Sequence, residues 1–122
     1  MEQYFKSILE QDPAPVVVCD RNHTILYMNP AAAMAYEKQG GFALLGKNVL
    51  ACHNPRSREA IEKILAWFGK DPANNCVHTA YLPAEALDLY MVALRAEDGT
   101  LIGYYERYCF RTRDDSAFYD MK

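Results

Sequence analysis

Three stretches near the end of the chain, residues 76–82, 87–95 and 101–111, read as consecutive β-strands that carry apolar side chains on both faces. Side chains alternate across a strand. In the middle stretch Leu89 and Met91 therefore point one way, and Tyr90, Val92 and Leu94 the other. A sheet built from these strands must be covered twice: by helices on one side, and by an amino-terminal helix or a second copy of the chain on the other. Asp98-Gly99 sets a hairpin between the last two stretches, because Gly tolerates the positive φ that such turns demand.

Two further strands lie upstream. Val16-Val17-Val18-Cys19 and Thr24-Ile25-Leu26-Tyr27-Met28 are rich in β-branched and aromatic residues and flank the polar segment Asp20-Arg21-Asn22-His23, a hairpin in which His23 reads as an exposed turn residue. Asn29-Pro30 then starts a helix running to about Glu37: the Asn side chain accepts orphan N–H bonds, and Pro at the first helical position loses no needed donor. Gly40-Gly41 breaks it, and Gly46-Lys47-Asn48 closes a short irregular piece. Asn54-Pro55 repeats the start signal. Ile61, Ile64, Leu65 and Phe68 follow at the spacing of a core-facing helical stripe, which predicts the longest helix over 54–68, with Gly69 and Asp71-Pro72 as its stop. At the amino terminus Tyr4, Phe5, Ile8 and Leu9 share one side of a helix that Asp12-Pro13 ends. The resulting division is an amphipathic helix over 1–11, an α+β domain over 12–111 and a charged tail over 112–122, in which Phe118 and Tyr119 alone offer docking side chains.

Composition narrows the function classes. With 122 residues, 51% of them hydrophobic, the chain suits one domain with a real core. A net charge of -3 gives no overall attraction to nucleic acid or anionic lipid. The longest apolar runs, 31–36 and 89–94, are far shorter than the roughly 18 residues that span a bilayer. Met1-Glu2-Gln3-Tyr4 lacks the basic segment and apolar core of a secretory signal, so the expected location is cytoplasmic. Cys19, Cys52, Cys76 and Cys109 never form a C-x-x-C pair, which argues for reduced thiols and against zinc.

The order of elements, with the residues that mark it, resembles a PAS domain over about 8–111. The carrying segments are the run from Asp20 through Tyr27-Met28-Asn29-Pro30 to Ala32, then Leu44-Leu45-Gly46-Lys47-Asn48, and Asp98-Gly99 with Leu101-Ile102-Gly103. His23 stands where many relatives carry Gly, and Thr112-Arg113-Asp114 only loosely matches the family's terminal Asp-Ile-Thr. The resemblance implies a PAS-like (profilin-like) fold: a five-stranded antiparallel sheet with short helices and one longer helix on one face. It also implies a sensory or interaction module enclosing a ligand pocket or a dimer interface. Cys52-His53-Asn54-Pro55-Arg56-Ser57 is similar to a bacterial subgroup with a Cys-His pair before the long helix.

That resemblance does not name a ligand, and its cofactor-binding branches fit poorly. The flavin photoreceptor branch carries its cysteine in a Gly-Arg-Asn-Cys-Arg-Phe type segment; here the comparable stretch runs Gly46-Lys47-Asn48-Val49-Leu50-Ala51, with Val49 at the adduct position. The haem-sensing branch places its histidine within the long helix, and residues 56–70 contain none. Flavin and haem are thus both disfavoured and the cofactor stays open. Cys52, near a helix start, is the best reactive thiol, set against the plainer roles of a small buried hydrophobe for Cys52 and a turn residue for His53. His78 reads as a strand residue. No catalytic motif or metal-binding spacing is present.

The expected function is a signalling module that senses a small molecule or mediates association, with its output in another chain or in further sequence. The alternatives are a ligand-free interaction module and, less favoured, a small enzyme or redox switch using Cys52. A ligand is expected between the sheet and the helices, walled by Met28, Met34, Tyr36, Leu45, Val49, Ile64 and Met91, with Cys52 and His53 at the edge. Inward-facing tyrosines and histidines would supply its polar contacts. A homodimer is expected through Tyr4, Phe5, Ile8 and Leu9, since a helix of about ten residues must dock its apolar side somewhere.

Overall fold

Each Asn-Pro pair starts a helix through the same local chemistry. Asn29 Oδ1 accepts from the Ala32 N–H at 2.9 Å, and Asn54 Oδ1 accepts from the Ser57 N–H at 2.8 Å. In the computed structural model, which describes residues 1–121 without the side chain of Cys52, the order runs α1 (Glu2–Gln11), β1 (Val17–Asp20), β2 (Ile25–Met28), α2 (Pro30–Ala35), three single-turn 3-10 segments, α3 (Pro55–Lys70), β3 (Cys76–Leu82), a fourth 3-10 turn (Pro83–Glu85), β4 (Leu87–Arg95) and β5 (Leu101–Phe110). The five strands form one antiparallel sheet in the order β2-β1-β5-β4-β3. The first and last strands thus meet at its centre, where Val18, Cys19 and Asp20 pair with Tyr105, Tyr104 and Gly103.

Several boundaries differ from those the sequence predicts. α2 stops at Ala35, and the chain continues as the 3-10 turns Glu37–Gln39, Gly41–Leu44 and Val49–Cys52, with Gly40 at positive φ between the first two and Gly41 at positive φ opening the second. Gly69 does not stop α3. It lies inside a helix that runs to Lys70, and the break comes at Asp71, forced into extended backbone by Pro72. Arg95 completes that end, donating from Nη2 to the carbonyls of Phe68 at 2.8 Å and Asn74 at 3.1 Å, and from Nη1 to the Gly99 carbonyl at 3.1 Å. The Phe68 carbonyl, in the last turn of α3, would otherwise lack a helical partner.

The inner face of the sheet carries the core. Cys19, Ile25, Met28, Met91, Leu101 and Tyr104 pack with Ala32, Leu44 and Phe68 from the helical layer, and Phe68 is completely buried. Burying a phenylalanine stabilises the fold by roughly 2–3 kcal/mol, so this residue pins the carboxyl end of α3 to the sheet. On the other side α1 buries none of its residues, and Tyr4, Phe5 and Ile8 are exposed. It is tied down at one end only, by Asn29 Nδ2 donating to the Leu9 carbonyl and the Tyr27 hydroxyl donating to Glu10, both at 2.9 Å. Phe118 and Tyr119 extend into solvent and dock nowhere. No helix among the described residues is long and apolar enough to cross a membrane.

Candidate functional site

Phe68 and Arg95 hold α3 at its carboxyl end, while its amino-terminal half presents the small residues Ser57 and Ala60 beside Ile61 and Ile64. The helical layer and the inner sheet face therefore leave a gap, a cavity of about 760 Å³. That lies within the usual size of small-molecule pockets, roughly 300–1,000 Å³. Most of the wall is hydrocarbon.

Of the residues expected at this site, Met28, Tyr36, Val49, His53, Ile64 and Met91 are together on the cavity wall. Met34 and Leu45 are not. Met34 is two residues beyond the buried Ala32, about 200° around the helix, and is 77% exposed. Leu44 takes the inward position at the end of its turn. Leu45 points outward because the next residues are bonded along β2, the Gly46 N–H to the Ile25 carbonyl at 2.8 Å and the Ile25 N–H to the Lys47 carbonyl at 2.9 Å. The proposed thiol of Cys52 lies outside the described residues.

Polar groups enter the cavity from β5, whose alternation turns Tyr104, Glu106 and Tyr108 inward, and also from Gln39, Ser57, His78 and Thr79. The Tyr36 and Tyr108 hydroxyls are 3.0 Å apart. Burial pushes the Glu106 carboxyl above its ordinary range, opposed by the nearby His53 and the Tyr108 hydroxyl. His53 Nδ1 lies 3.0 Å from the Val49 carbonyl. A carbonyl only accepts, so Nδ1 carries a proton and donates this bond. Glu106 escapes a motif search, yet its period-two spacing between Tyr104 and Tyr108 marks it as sharing their face.

His23 is a correction. The sequence suggests an exposed turn residue, but the structure buries it at a left-handed position, φ 68°, where many relatives of the resembled family carry Gly. Its Nδ1 is 2.8 Å from the Tyr104 hydroxyl and its Nε2 is 3.1 Å from Glu62 on α3. These two contacts give a non-Gly residue a reason to hold that backbone conformation.

Cys19 also lines the cavity, with its thiol pushed up to about 11, chiefly by burial. At pH 8 it is expected to resist iodoacetamide while exposed Cys76 reacts, as peptide mapping after labelling will show. Labelling of Cys19 at the rate of Cys76 would contradict this. The same shift has a linked effect on stability: the unfolded thiol ionises near 9.0 and the folded one only near 11, so its contribution is intact below about pH 9 and is lost as pH rises through 11. Burial raises the Tyr104 and Tyr108 phenols as well, in the same direction.

Comparison with known proteins agrees with this geometry. A family model described as PAS fold matches residues 9–113. Among solved structures, the PAS domain of a Colwellia psychrerythraea protein superimposes with a TM-score of 0.66 at 13% identity, over 89% of this chain and 95% of that one. The Aer2 receptor of Vibrio cholerae, described as a dual PAS-heme oxygen sensor, gives 0.55 at 18% identity, over 80% and 94%. A sensory box sensor histidine kinase from Vibrio cholerae gives 0.59 at 14%, over 92% and 93%. At these identities the likeness is one of fold. No curated protein sequence matches the chain.

Proposed function

The chain belongs to the PAS family, and on that premise we propose that it is a sensory module in which a small molecule occupies the cavity between the sheet and α3. The observation that carries this reading is the 760 Å³ cavity itself, with its hydrocarbon walls and a few converging polar groups. Met28, Tyr36, Val49, His53, Ile64 and Met91 contact the ligand, and the output is delivered by another chain or by further sequence. Domains of this family are generally sensory rather than catalytic, and no residue is given a catalytic role. Val49, at the flavin adduct position, offers only hydrocarbon, and the thiol of Cys19 is protonated at neutral pH.

The test is to denature purified protein, identify any released small molecule by mass spectrometry, and add it back to wild type and to Val49→Trp. It is expected to raise the melting temperature of wild type and not that of the cavity-filled variant, with both showing native circular dichroism. Equal stabilisation of both would put binding elsewhere. If nothing is released and no member of a small-molecule panel stabilises the protein, the ligand-free interaction module becomes the better reading.

The exposed apolar side of α1 supports a second element of the proposal, association into a homodimer through Tyr4, Phe5, Ile8 and Leu9. A free helix of this length is marginal in water, and covering these side chains would steady it. Sedimentation is expected to show a wild-type dimer that Phe5→Glu and Ile8→Glu dissociate without unfolding. A monomeric wild type removes the dimer.

A further inference from the structure

α3 is fastened to the sheet at two places of different character. At its carboxyl end Phe68 is completely buried, Arg95 Nη2 donates to the Phe68 carbonyl and Asn74 Nδ2 to the Trp67 carbonyl, both at 2.8 Å. Toward its middle, Glu62 Oε1 lies 3.1 Å from His23 Nε2 in the β1–β2 turn. Among the described residues this is the one side-chain hydrogen bond or ion pair that joins α3 to the sheet or its hairpins ahead of Trp67; Arg58 Nε reaches only the His53 carbonyl, in the connector before the helix, at 3.0 Å. Phe68 alone among the described residues of α3 is buried. The amino half therefore lies over the cavity with one polar contact to hold it.

We propose that α3 is a hinged lid on the cavity, fixed at Phe68 and latched by His23 and Glu62, and that its opening admits and releases the small molecule. The role in access rests on the reading of the cavity as a ligand site; the hinge and the latch do not. A carboxylate only accepts, so His23 Nε2 carries a proton and donates to Glu62 whether the ring is neutral or charged. Its Nδ1 is 2.8 Å from the Tyr104 hydroxyl, which donates to a neutral ring and accepts from a charged one. Both contacts thus form in either charge state. His23 is the fixed half of the latch: it is buried, bonded to buried Tyr104 and set in a turn at φ 68°. Glu62 is the releasing half. Its side chain is 59% exposed, so water replaces the imidazole when the contact breaks, and the cost is that of a solvated pair. Behind it the wall is made of half-buried Ile61 and Ile64 with the small residues Ser57 and Ala60, which leave space between the amino half and the sheet. Lid motions of this kind run on microsecond to millisecond timescales.

Glu62→Ala tests this, because an exposed helical position takes alanine without loss of helix propensity. In native-state hydrogen exchange without ligand, the amides of residues 59–64 are expected to exchange roughly two- to fivefold faster than in wild type. Those of residues 66–69 and of the central strands are expected to keep their rates. Glu62→Gln, which keeps an acceptor for His23, is expected to fall between, and Glu59→Ala, which removes only the surface pair with Lys63, to stay close to wild type. Tryptophol is the probe for access, read through the methyl line shapes of Met28 and Met91 on the cavity wall. Glu62→Ala is expected to raise its association and dissociation rates by a similar factor and to keep Kd within about twofold of wild type, since the latch closes again over the bound molecule. Unchanged exchange at residues 59–64 in Glu62→Ala would overturn the latch, and an increase spread evenly over α3 and the sheet would overturn the hinge. Faster exchange with unchanged tryptophol rates would overturn the role in access. Tryptophol that fails to bind removes the cavity reading and the role in access with it, while the exchange rates still decide the hinge and the latch.

Discussion

Replacing Gly103 by alanine is expected to destabilise the protein by about 3 kcal/mol or more, lowering the melting temperature by roughly 10 °C or leaving the chain unfolded. Gly103 lies where β5 crosses β1 at the centre of the sheet, paired with Asp20 on one side and Leu94 on the other. A Cβ there would press into the Cys19 carbonyl oxygen and lie 3.2 Å from Asp20 Cα. Both are backbone atoms in a hydrogen-bonded ladder, so relief requires moving a strand. Gly69→Ala is the control. Its added methyl meets nothing within 4 Å in a helix interior, and it is expected to stabilise by about 0.5–1 kcal/mol. Thermal melts of the two variants beside wild type check both signs. Gly103→Ala melting within a degree or two of wild type would contradict the account of the central strand pair.

Asn29→Ala is expected to cost about 3 kcal/mol, although no side chain in the cavity is touched. Asn29 is completely buried. Its Oδ1 accepts from the Val16 and Ala32 N–H groups, and its Nδ2 donates to the Leu9 and Ala14 carbonyls, all four at 2.9 Å, with the Asp12 carbonyl at 3.3 Å. One side chain thus caps α2, aligns the start of β1 and fastens the end of α1. Truncation removes the cap and strands buried polar groups without partners. Asn29→Asp retains the acceptor but loses the donors, and an ionised carboxylate repels the carbonyls of residues 9, 12 and 14. It is expected to release α1 to proteolysis ahead of the rest of the chain. Denaturant unfolding for Ala and timed proteolysis for Asp are the measurements. Cleavage of α1 in Asn29→Asp no faster than in wild type would contradict the tether.

The Asn29 network also shows how far the sequence could be read. Asn29-Pro30 announced a helix start, because capping is a local interaction between residues three apart. That the same amide reaches back to residues 9–16 depends on tertiary structure and leaves no local pattern. The strands behave in the same way. Period-two alternation and Asp98-Gly99 sufficed for β3, β4 and β5, whose neighbours in sequence are their neighbours in space. The pairing of β1 with β5 joins the two ends of the domain and leaves no local pattern, and the resemblance to a known fold implied only a five-stranded antiparallel sheet. Gly69 misled because propensity alone disfavours glycine in a helix, whereas Phe68 and Arg95 secure that last turn tertiarily.

The site divides along the same line. Met28, Tyr36, Val49, His53, Ile64 and Met91 were identifiable because they lie in the segments that face each other. Met34 and Leu45 were misplaced because the side of a short or 3-10 helix that turns inward depends on one residue of phase. His23 was hidden for a different reason: a polar residue in a hairpin turn reads as solvated, and its burial depends on Glu62 and Tyr104, distant in sequence. Glu106 shares the alternation of β5 with Tyr104 and Tyr108, but a single carboxylate in a strand carries no local signal that its face borders a cavity.

The central claim, that the gap between α3 and the inner sheet face is where a small molecule binds, is tested most directly by the methyl resonances of the methionines. Met28 and Met91 are buried at the cavity wall, whereas Met1, Met34 and Met121 are exposed and outside it. With methyl-labelled protein titrated with tryptophol, the account predicts that the Met28 and Met91 signals shift along one saturable curve while the other three stay in place. Shifts confined to Met1, Met34 or Met121, or no saturable shift at Met28 and Met91, would contradict it.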